Sequence, residues 1–498
     1  MVKTLVIRGD ATIEIGIGHV MRCLALAQGW QDAGGHVIFV ISPGASALEP
    51  RLRAEGMEVV HLSAERGSAD DASQTVKQAI QRNATWIVVD GYHFGADYQR
   101  IVKESGLRLL FLDDHGHSEY YYADFVLNQN LNAHQGLYEA REPYTRLLLG
   151  TRYALLRREF LRWMNWERPI PEVGRNVLVT LGGSDPHNFT TRVIEGLQLV
   201  EVNHVEASVV VGGNNPYFNE IQSAVRTSRF PMRLQNNVVA MPELMAWADA
   251  AIASAGSTSW ELVFMRVPSL VVAMSENHRA VAEHLSRTGV SVNLGWHEKI
   301  SCDDIATAIT KVMITAQTRY QIAQKCRSVV DGEGAERALM QIKGERIRLR
   351  RVREDDCKLL WEWANDPVTR SVSFRPDPIP WDQHVQWFKS KISDPNCAFF
   401  IAVNTEDIPV GQVRHDIDGN EAVISVSMDE KFRGKGYGSI IIQCASQRLF
   451  NISHVITIHA YMKQGNDASM RAFMKSGYSK AGETIVGGCE ANHLVMRK

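Results

Sequence analysis

Arg8 to Arg22, RGDATIEIGIGHVMR, is the stretch whose reading decides the fold of the first part of the chain. The apolar run Leu5-Val6-Ile7 just before it reads as a short strand that ends at Arg8 and Asp10. Gly16-Ile17-Gly18 then makes a turn, and His19 opens a segment with Val20, Leu24 and Ala27 at helical spacing. In an open α/β sheet such a strand–turn–helix unit lies where ligands bind, and a helix start favours phosphate. One reading gives Gly16 and Gly18 a close approach to a ligand and His19 a part in chemistry. The other makes the glycines plain turn formers and His19 a helix cap.

Working outward, short apolar runs alternate with amphipathic segments through residue 160. Strands are expected at Thr4–Ile7, Val37–Ile41, Val59–Leu62, Trp86–Asp90 and Leu109–Asp113. Helices are expected at Ala72–Gln81 and Ala96–Glu104. This rhythm predicts βαβ units and a mostly parallel sheet. Polar strand exits, Asp90-Gly91-Tyr92-His93 and Asp113-Asp114-His115, are candidates to face a ligand or to form caps and turns. Trp163, Trp166, Pro169 and Pro171 interrupt the rhythm, which restarts at Asn176. Further strands are expected at Val177–Leu181, Ala207–Val211, Ala250–Ala253 and Leu270–Ala273. A third domain is expected from about residue 345, where RIRLRRVRE alternates basic and apolar residues. The expected division is 1–160, 161–342 and 345–498.

Bulk properties narrow the function. At 498 residues the chain exceeds a single core of ~250–300 residues. A formal net charge of −2, with no long single-sign run, gives no support for nucleic-acid or membrane-surface binding. The seven cysteines are scattered singly, so neither a disulfide framework nor a metal site is expected. The N-terminal apolar run is too short for a signal peptide, and no stretch approaches the ~20 apolar residues of a membrane span. A cytoplasmic enzyme is the expectation; the oligomeric state is not legible.

Two turns in the second part carry chemistry. Ser254-Ala255-Gly256-Ser257-Thr258-Ser259-Trp260-Glu261 leaves a strand and enters a helix. Its small residues admit a ligand close to the backbone, and Glu261 lies where a carboxylate can hold a ribose. A capped helix with an acidic first turn fits the same residues. Ser275-Glu276-Asn277-His278 repeats the pattern, with Asn277 able to donate and accept.

The motifs IGIGHVMRCLALA, DGYHFG, LGGSDPHN, SAGSTSWEL and SENHR resemble the UDP-sugar hydrolases of pseudaminic acid biosynthesis, over roughly residues 1–342. The resemblance implies two Rossmann-like halves in a GT-B-like arrangement, with UDP on the second half and the sugar facing the first. It implies that His19 positions or activates water and that Tyr92 and Asn277 line the same pocket. Glu261 would take the ribose, with Gly16, Gly18, Arg22, Gly183, Ser257 and Thr258 around the substrate. Sugar transfer, as in GT-B glycosyltransferases, is the rival reading.

Arg433-Gly434-Lys435-Gly436-Tyr437-Gly438 follows the expected strand Val423–Met428 and precedes the helical run Ser439–Phe450. It is similar to the coenzyme A loop of GNAT acetyltransferases, where backbone N–H groups hold the pyrophosphate. Asn466, Ser469 and Gly477-Tyr478, after the expected strand Thr457–Tyr461, are similar to the second coenzyme A motif. Trp363-Ala364-Asn365-Asp366, Arg370, Phe374, His384 and Trp387-Phe388 resemble the amino-sugar N-acetyltransferases of the pseudaminic pathway. That implies a GNAT α+β domain with acetyl-CoA as co-substrate. Asn365, Arg370 and His384 either line the nucleotide-sugar site or belong to the core. Strand amides near Val426–Met428 would polarise the acetyl group. Phe473 stands where many of these enzymes place a tyrosine acid, which leaves Tyr461, Tyr478 or solvent as substitutes.

Overall fold

Leu5, Val6, Ile7, Ile87, Val88 and Val89 are wholly buried, which a strand achieves only with both sheet faces covered. In the computed structural model, which describes residues 3–11, 17–43, 48–164, 166–183, 185–213, 215–236 and 238–498, these runs lie in a seven-stranded sheet. Its strands are β1 (Thr4–Gly9), β2 (His36–Ile41), β3 (Glu58–His61), β4 (Ala84–Asp90), β5 (Arg108–Leu112), β6 (Phe125–Asn128) and β7 (Arg146–Leu149). All neighbours are parallel, in the order β3-β2-β1-β4-β5-β6-β7. The order reverses at β1, so a crevice opens where the carboxyl ends of β1 and β4 sit side by side. Gly9 pairs with Asp90 at that edge.

A second parallel sheet follows: β8 (Asn176–Thr180), β9 (Glu206–Val211), β10 (Met232–Asn236), β11 (Ala250–Ser254), β12 (Ser269–Ala273) and β13 (Ser291–Trp296). Its order, β10-β9-β8-β11-β12-β13, reverses between β8 and β11. Residues 181–183 and 255–257 leave the sheet at this second crevice. Each half thus has the doubly wound form, and the pair is GT-B-like. The expected strands form with shifted ends, while β6, β7, β10 and β13 went unforeseen. The first two of these are four-residue runs, and β10 and β13 are half-exposed edge strands that keep polar side chains.

By contact density the chain divides into two units, Met1–Ile342 and Lys343–Lys498. The last helix of the first unit, Gly334–Lys343, puts Ala338, Leu339 and Ile342 into the same core as Leu5, Leu24 and Trp30. The chain therefore returns to its first half after completing the second. An apolar helix face does not say which sheet it will meet.

The second unit is one mixed sheet of β14 (Arg348–Arg351), β15 (Cys397–Val403), β16 (Pro409–Asp418), β17 (Glu421–Met428), β18 (Thr457–Lys463), β19 (Ser479–Val486) and β20 (Cys489–Arg497), in the order β14-β15-β16-β17-β18-β20-β19. Alternation along β15 sends Phe400 and Ala402 to one face, under the helix Tyr437–Ile452. It sends Phe399, Ile401 and Val403 to the other, under the helices Cys357–Asn365 and Trp381–Ile392. β17 and β18 are parallel and pair only from Glu421–Val423 to Thr457–His459, beyond which they part.

Arg8, where the first apolar run was read as ending, is part of β1 and buried in the first half. It is held by Asp71 at 2.8 Å, Asp10 at 2.8 Å and Ser42 at 2.9 Å. Replacing Asp71 by Ala leaves that guanidinium undercompensated and should lower stability by about 3 kcal/mol, read as a fall in the urea midpoint.

Candidate functional site

A cavity of about 910 Å³ lies between the two halves of the first unit and reaches both crevices; its lining includes His19, Tyr92, Asp114, Ser257, Glu261 and Asn277. His19 stands in the first turn of the helix Gly18–Asp32, which has no side-chain cap. Its Nδ1 lies 2.6 Å from Asp90 Oδ1. An ionised carboxylate only accepts, so the proton sits on Nδ1 and Nε2 is left as the acceptor. The cap reading of His19 is thereby set aside.

Asp90 is fully buried at the end of β4. Arg22 grips it with two bonds, Nε to Oδ2 at 2.7 Å and Nη2 to Oδ1 at 2.6 Å. Burial alone would raise the Asp90 carboxyl, but Arg22 and His19 outweigh it and hold it below the usual carboxylate range. The third arm of Arg22, Nη1, reaches Asp114 Oδ1 at 2.7 Å, where Asn130 also donates at 2.9 Å. Burial opposes the charge on Asp114 as well, and Arg22 again overcomes it. Arg22 was expected around the substrate; it lines the cavity with its guanidinium bonded to these two carboxylates.

Asp114 continues the chain of bonds. Tyr92 donates to its Oδ2 at 2.7 Å and stands edge-on to His19, with ring centroids 4.9 Å apart. Burial, then Asp114, raises the Tyr92 hydroxyl, so it stays protonated. From the opposite wall Asn277 Nδ2 donates to the Tyr92 oxygen at 3.0 Å, and Ser275 fixes Asn277 Oδ1 at 2.5 Å. Tyr92 and Asn277, drawn from different halves, thus meet beside His19.

The remaining substrate candidates line the same cavity. A Cβ on Gly18 would fall 2.9 Å from Ser257 Oγ, so the His19 helix starts close against that turn and a side chain there would displace the hydroxyl. Gly183, Ser257 and Thr258 are in the lining. The helix Thr258–Phe264 has no side-chain cap, which removes the capping reading of this turn. Glu261 receives Arg157 at 2.8 and 3.1 Å, both bonds landing on Oε1. Burial raises the Glu261 carboxyl and Arg157 opposes it. Gly16 lies outside the described residues.

Asp113 and Asp114 part company. Asp113 binds the backbone N–H groups of His115 and Gly116, each at 2.7 Å, and the Tyr121 hydroxyl at 2.5 Å, which makes it a turn-builder. Sequence reasoning named Asp90 only as part of a polar strand exit, without a role, and passed over Arg157. Asp90 carried a signal, an acid ending an apolar strand next to the crevice. Arg157 carried none.

In the second unit, Gly434 and Gly436 have φ of +75° and +80°, left-handed values that suit glycine, with open space around both. Gly436 precedes the helix Tyr437–Ile452, and Gly438 lies in its first turn. Lys435 Nζ sits 5.5 Å from the Phe432 ring, and Tyr437 packs on the same ring. Arg433, expected at the cofactor, is a strut: it donates to Asp366 at 2.6 Å and to the Met428 carbonyl at 3.0 Å. Asn466 caps the helix Asp467–Lys475 by accepting from the Ser469 amide at 3.2 Å.

Three further candidates are bonded within their own domain. Asn365 spends both ends of its amide on Ile379, at 2.7 and 3.1 Å. Arg370 donates to the Arg375 carbonyl at 3.1 Å and to Ser373 at 3.2 Å. His384 is buried among Trp381, Trp387 and Phe388, bonded to the Cys357 carbonyl at 2.9 Å. All three hold their own loops and helices together. Tyr478 is likewise buried, its hydroxyl 2.8 Å from Ser446 and its ring against Phe473, so it is no substitute acid.

Tyr461 is differently placed. Ile458, Ala460 and Met462 fill the core, so period-two alternation turns His459 and Tyr461 to the other face. There Tyr461 stacks on His493 at 4.7 Å, and His493 Nε2 lies 2.9 Å from His459 Nδ1. Burial, then His459, lowers His493. This imidazole pair begins at the last rung joining β17 to β18. Sequence spacing could not reveal it, because it joins strands 34 residues apart.

Residues 346–479 match the acetyltransferase (GNAT) domain family model. An uncharacterized protein of Methanocaldococcus jannaschii is 24% identical over 486 residues, 95% of this chain and 96% of its own length. UDP-2,4-diacetamido-2,4,6-trideoxy-beta-L-altropyranose hydrolase of Campylobacter jejuni is 23% identical over 287 residues, 57% of this chain and 97% of its own. Among solved structures, spermidine N-acetyltransferase of Vibrio cholerae in complex with CoA and spermine is 17% identical, covering 30% of this chain and 95% of that one, with a TM-score of 0.28. The resemblance stated from the motifs is borne out: the chain joins a region similar to a UDP-sugar hydrolase to a region that matches the acetyltransferase (GNAT) domain model. No helix among the described residues is long and apolar enough to cross a membrane. Among those residues no group of three or more His, Cys, Asp or Glu could hold a metal ion.

Burial raises the Asp113 carboxyl, but its hydrogen bonds, that from His117 foremost, bring it down to about 2. The folded state therefore binds this proton less readily than the unfolded chain, whose carboxyl titrates near 3.9. The stabilisation, roughly 2 kcal/mol, is complete above about pH 4 and disappears as pH falls toward 2. Asp113→Asn should remove that share of the acid sensitivity, measured by urea unfolding at pH 2.5 and pH 5.

Proposed function

We propose that this chain is a bifunctional nucleotide-sugar enzyme of nonulosonic (pseudaminic) acid biosynthesis. In this reading residues 345–498 use acetyl-CoA to acetylate the 4-amino group of UDP-4-amino-4,6-dideoxy-N-acetyl-β-L-altrosamine. Residues 1–160 and 161–342 then hydrolyse UDP-2,4-diacetamido-2,4,6-trideoxy-β-L-altrose to the free sugar and UDP. The observation that carries the reading is His19, fixed by Asp90 with Nε2 as acceptor, in a cavity whose far wall is made of small-residue turns. The similarity to the Campylobacter jejuni hydrolase supports the choice of sugar.

Hydrolysis follows from that geometry. UDP is a good leaving group at neutral pH, so the missing element is a placed water rather than a strong acid. His19 Nε2 takes the water proton as the water oxygen bonds to the anomeric carbon. The carbon–oxygen bond to the phosphate breaks with its electron pair going to UDP, and the anomeric configuration inverts. The Asp90 carboxylate stabilises the imidazolium that forms. Tyr92 and Asn277 orient the sugar, Ser257, Thr258 and Gly183 flank the diphosphate, and Glu261 Oε2, not used by Arg157, takes the ribose.

For acetyl transfer, the amine attacks the thioester carbonyl while backbone amides of Val426–Met428 polarise its oxygen. The His459–His493 pair offers an unprotonated nitrogen for the amine proton, and Tyr461, stacked on it, supplies the proton for the thiolate. Gly434, Gly436 and Gly438 leave room for coenzyme A at the start of the helix Tyr437–Ile452, with Lys435 and Ser469 at its rim.

The test is incubation of the full chain with acetyl-CoA and the UDP-4-amino sugar, with products identified by NMR. Free diacetamido sugar, UDP and CoA are expected; another stereoisomer turning over far faster would reassign the sugar. His19→Ala should cut UDP release about 10²–10⁴-fold and leave CoA release intact. Tyr461→Phe should slow CoA release about tenfold or more and leave hydrolysis of directly supplied UDP-diacetamido sugar intact. Unaltered rates would remove these residues from the mechanism.

A further inference from the structure

His278 follows Asn277 in the helix Glu276–Thr288, lines the cavity, and has no part in the chemistry described so far. The Met274 amide lies 3.4 Å from its Nδ1. That N–H only donates, so Nδ1 accepts and the ring proton sits on Nε2. Nε2 is directed at Gly256: a Cβ built there would lie 3.4 Å from it, and glycine leaves that space empty. Gly256 immediately precedes Ser257, which abuts Gly18 beside His19, in the turn that leads into the helix carrying Glu261. His278 thus holds an N–H over the start of this turn, one residue from the Asn277 that bonds Tyr92 at the reacting end.

We propose that His278 is a phosphate-binding residue, its Nε2–H donating to a non-bridging oxygen of the phosphate attached to the sugar. This deepens the hydrolase reading and rests on it, because it takes the cavity to hold a UDP-sugar. A donor at that phosphate serves the leaving group. Negative charge grows there as the carbon–oxygen bond breaks, and a fixed N–H opposite it stabilises that growth without moving a proton. Burial supports the assignment by pushing the imidazole down to about 4, against the opposing pull of Asp114, so the ring keeps a single proton and a single tautomer at neutral pH.

UDP and UMP binding to the full chain, by calorimetry, tests this, because UMP lacks the phosphate in question. His278→Ala should weaken UDP about tenfold and leave UMP unchanged. His278→Gln, whose amide nitrogen sits where Nε2 did, should restore most of the UDP affinity. Equal weakening of UMP and UDP would mean that His278 only packs the wall, and unchanged UDP affinity in His278→Ala would mean that it makes no phosphate contact; either result overturns the proposal. Absence of UDP binding by the unaltered chain would instead take down the hydrolase reading itself.

Discussion

A buried carboxylate with no access to water must be surrounded by donors, and in the first unit that carboxylate is Asp90. Arg22 supplies two N–H groups and His19 the third. Arg22 is itself buried and needs a second counter-charge, which Asp114 provides. Asp114 in turn takes the Tyr92 hydroxyl, and Asn277 closes the sequence from the other half. Each group is placed because the one before it must be satisfied. Networks of this kind rigidify a site when complete, which is what the water-activating role proposed for His19 requires.

The second unit solves its problem with backbone instead. β17 and β18 separate after Val423 and His459, and the glycine turn after Arg433 keeps side chains away from the start of the helix Tyr437–Ile452. Arg433 anchors that turn to Asp366 and to the end of β17. Side-chain chemistry is concentrated on the free face of β18 and β20, where His459, His493 and Tyr461 stack. Covalent linkage keeps the two proposed activities together, which raises the local concentration of a shared intermediate.

Much of this was legible in the order of residues. The apolar runs at Leu5 and Ile87 imply buried parallel strands, and the small-residue turns after β8 and β11 imply places where a ligand meets backbone. His19, Tyr92 and Asn277 converge as the motifs led one to expect. Asn365, Arg370 and His384 were named from the resemblance to amino-sugar N-acetyltransferases, with a core role as the alternative, and each bonds to groups of its own domain. Local pairing of that kind depends on loop paths that spacing does not encode. Arg157, His459 and His493 were missed for the related reason that their partners lie far away in sequence. Asp90 was visible as a strand end, but its importance depends on Arg22, one helical turn beyond His19, facing the same strand.

The account stands on His19 directing water to carbon rather than to phosphorus. Mass spectrometry of the products after hydrolysis in ¹⁸O-labelled water tests that most directly. The account predicts one ¹⁸O at the anomeric position of the released sugar, read at early times before exchange, and none in UDP. Label in the UDP phosphate would mean attack at phosphorus and would contradict the role assigned to His19 and the cluster that holds it.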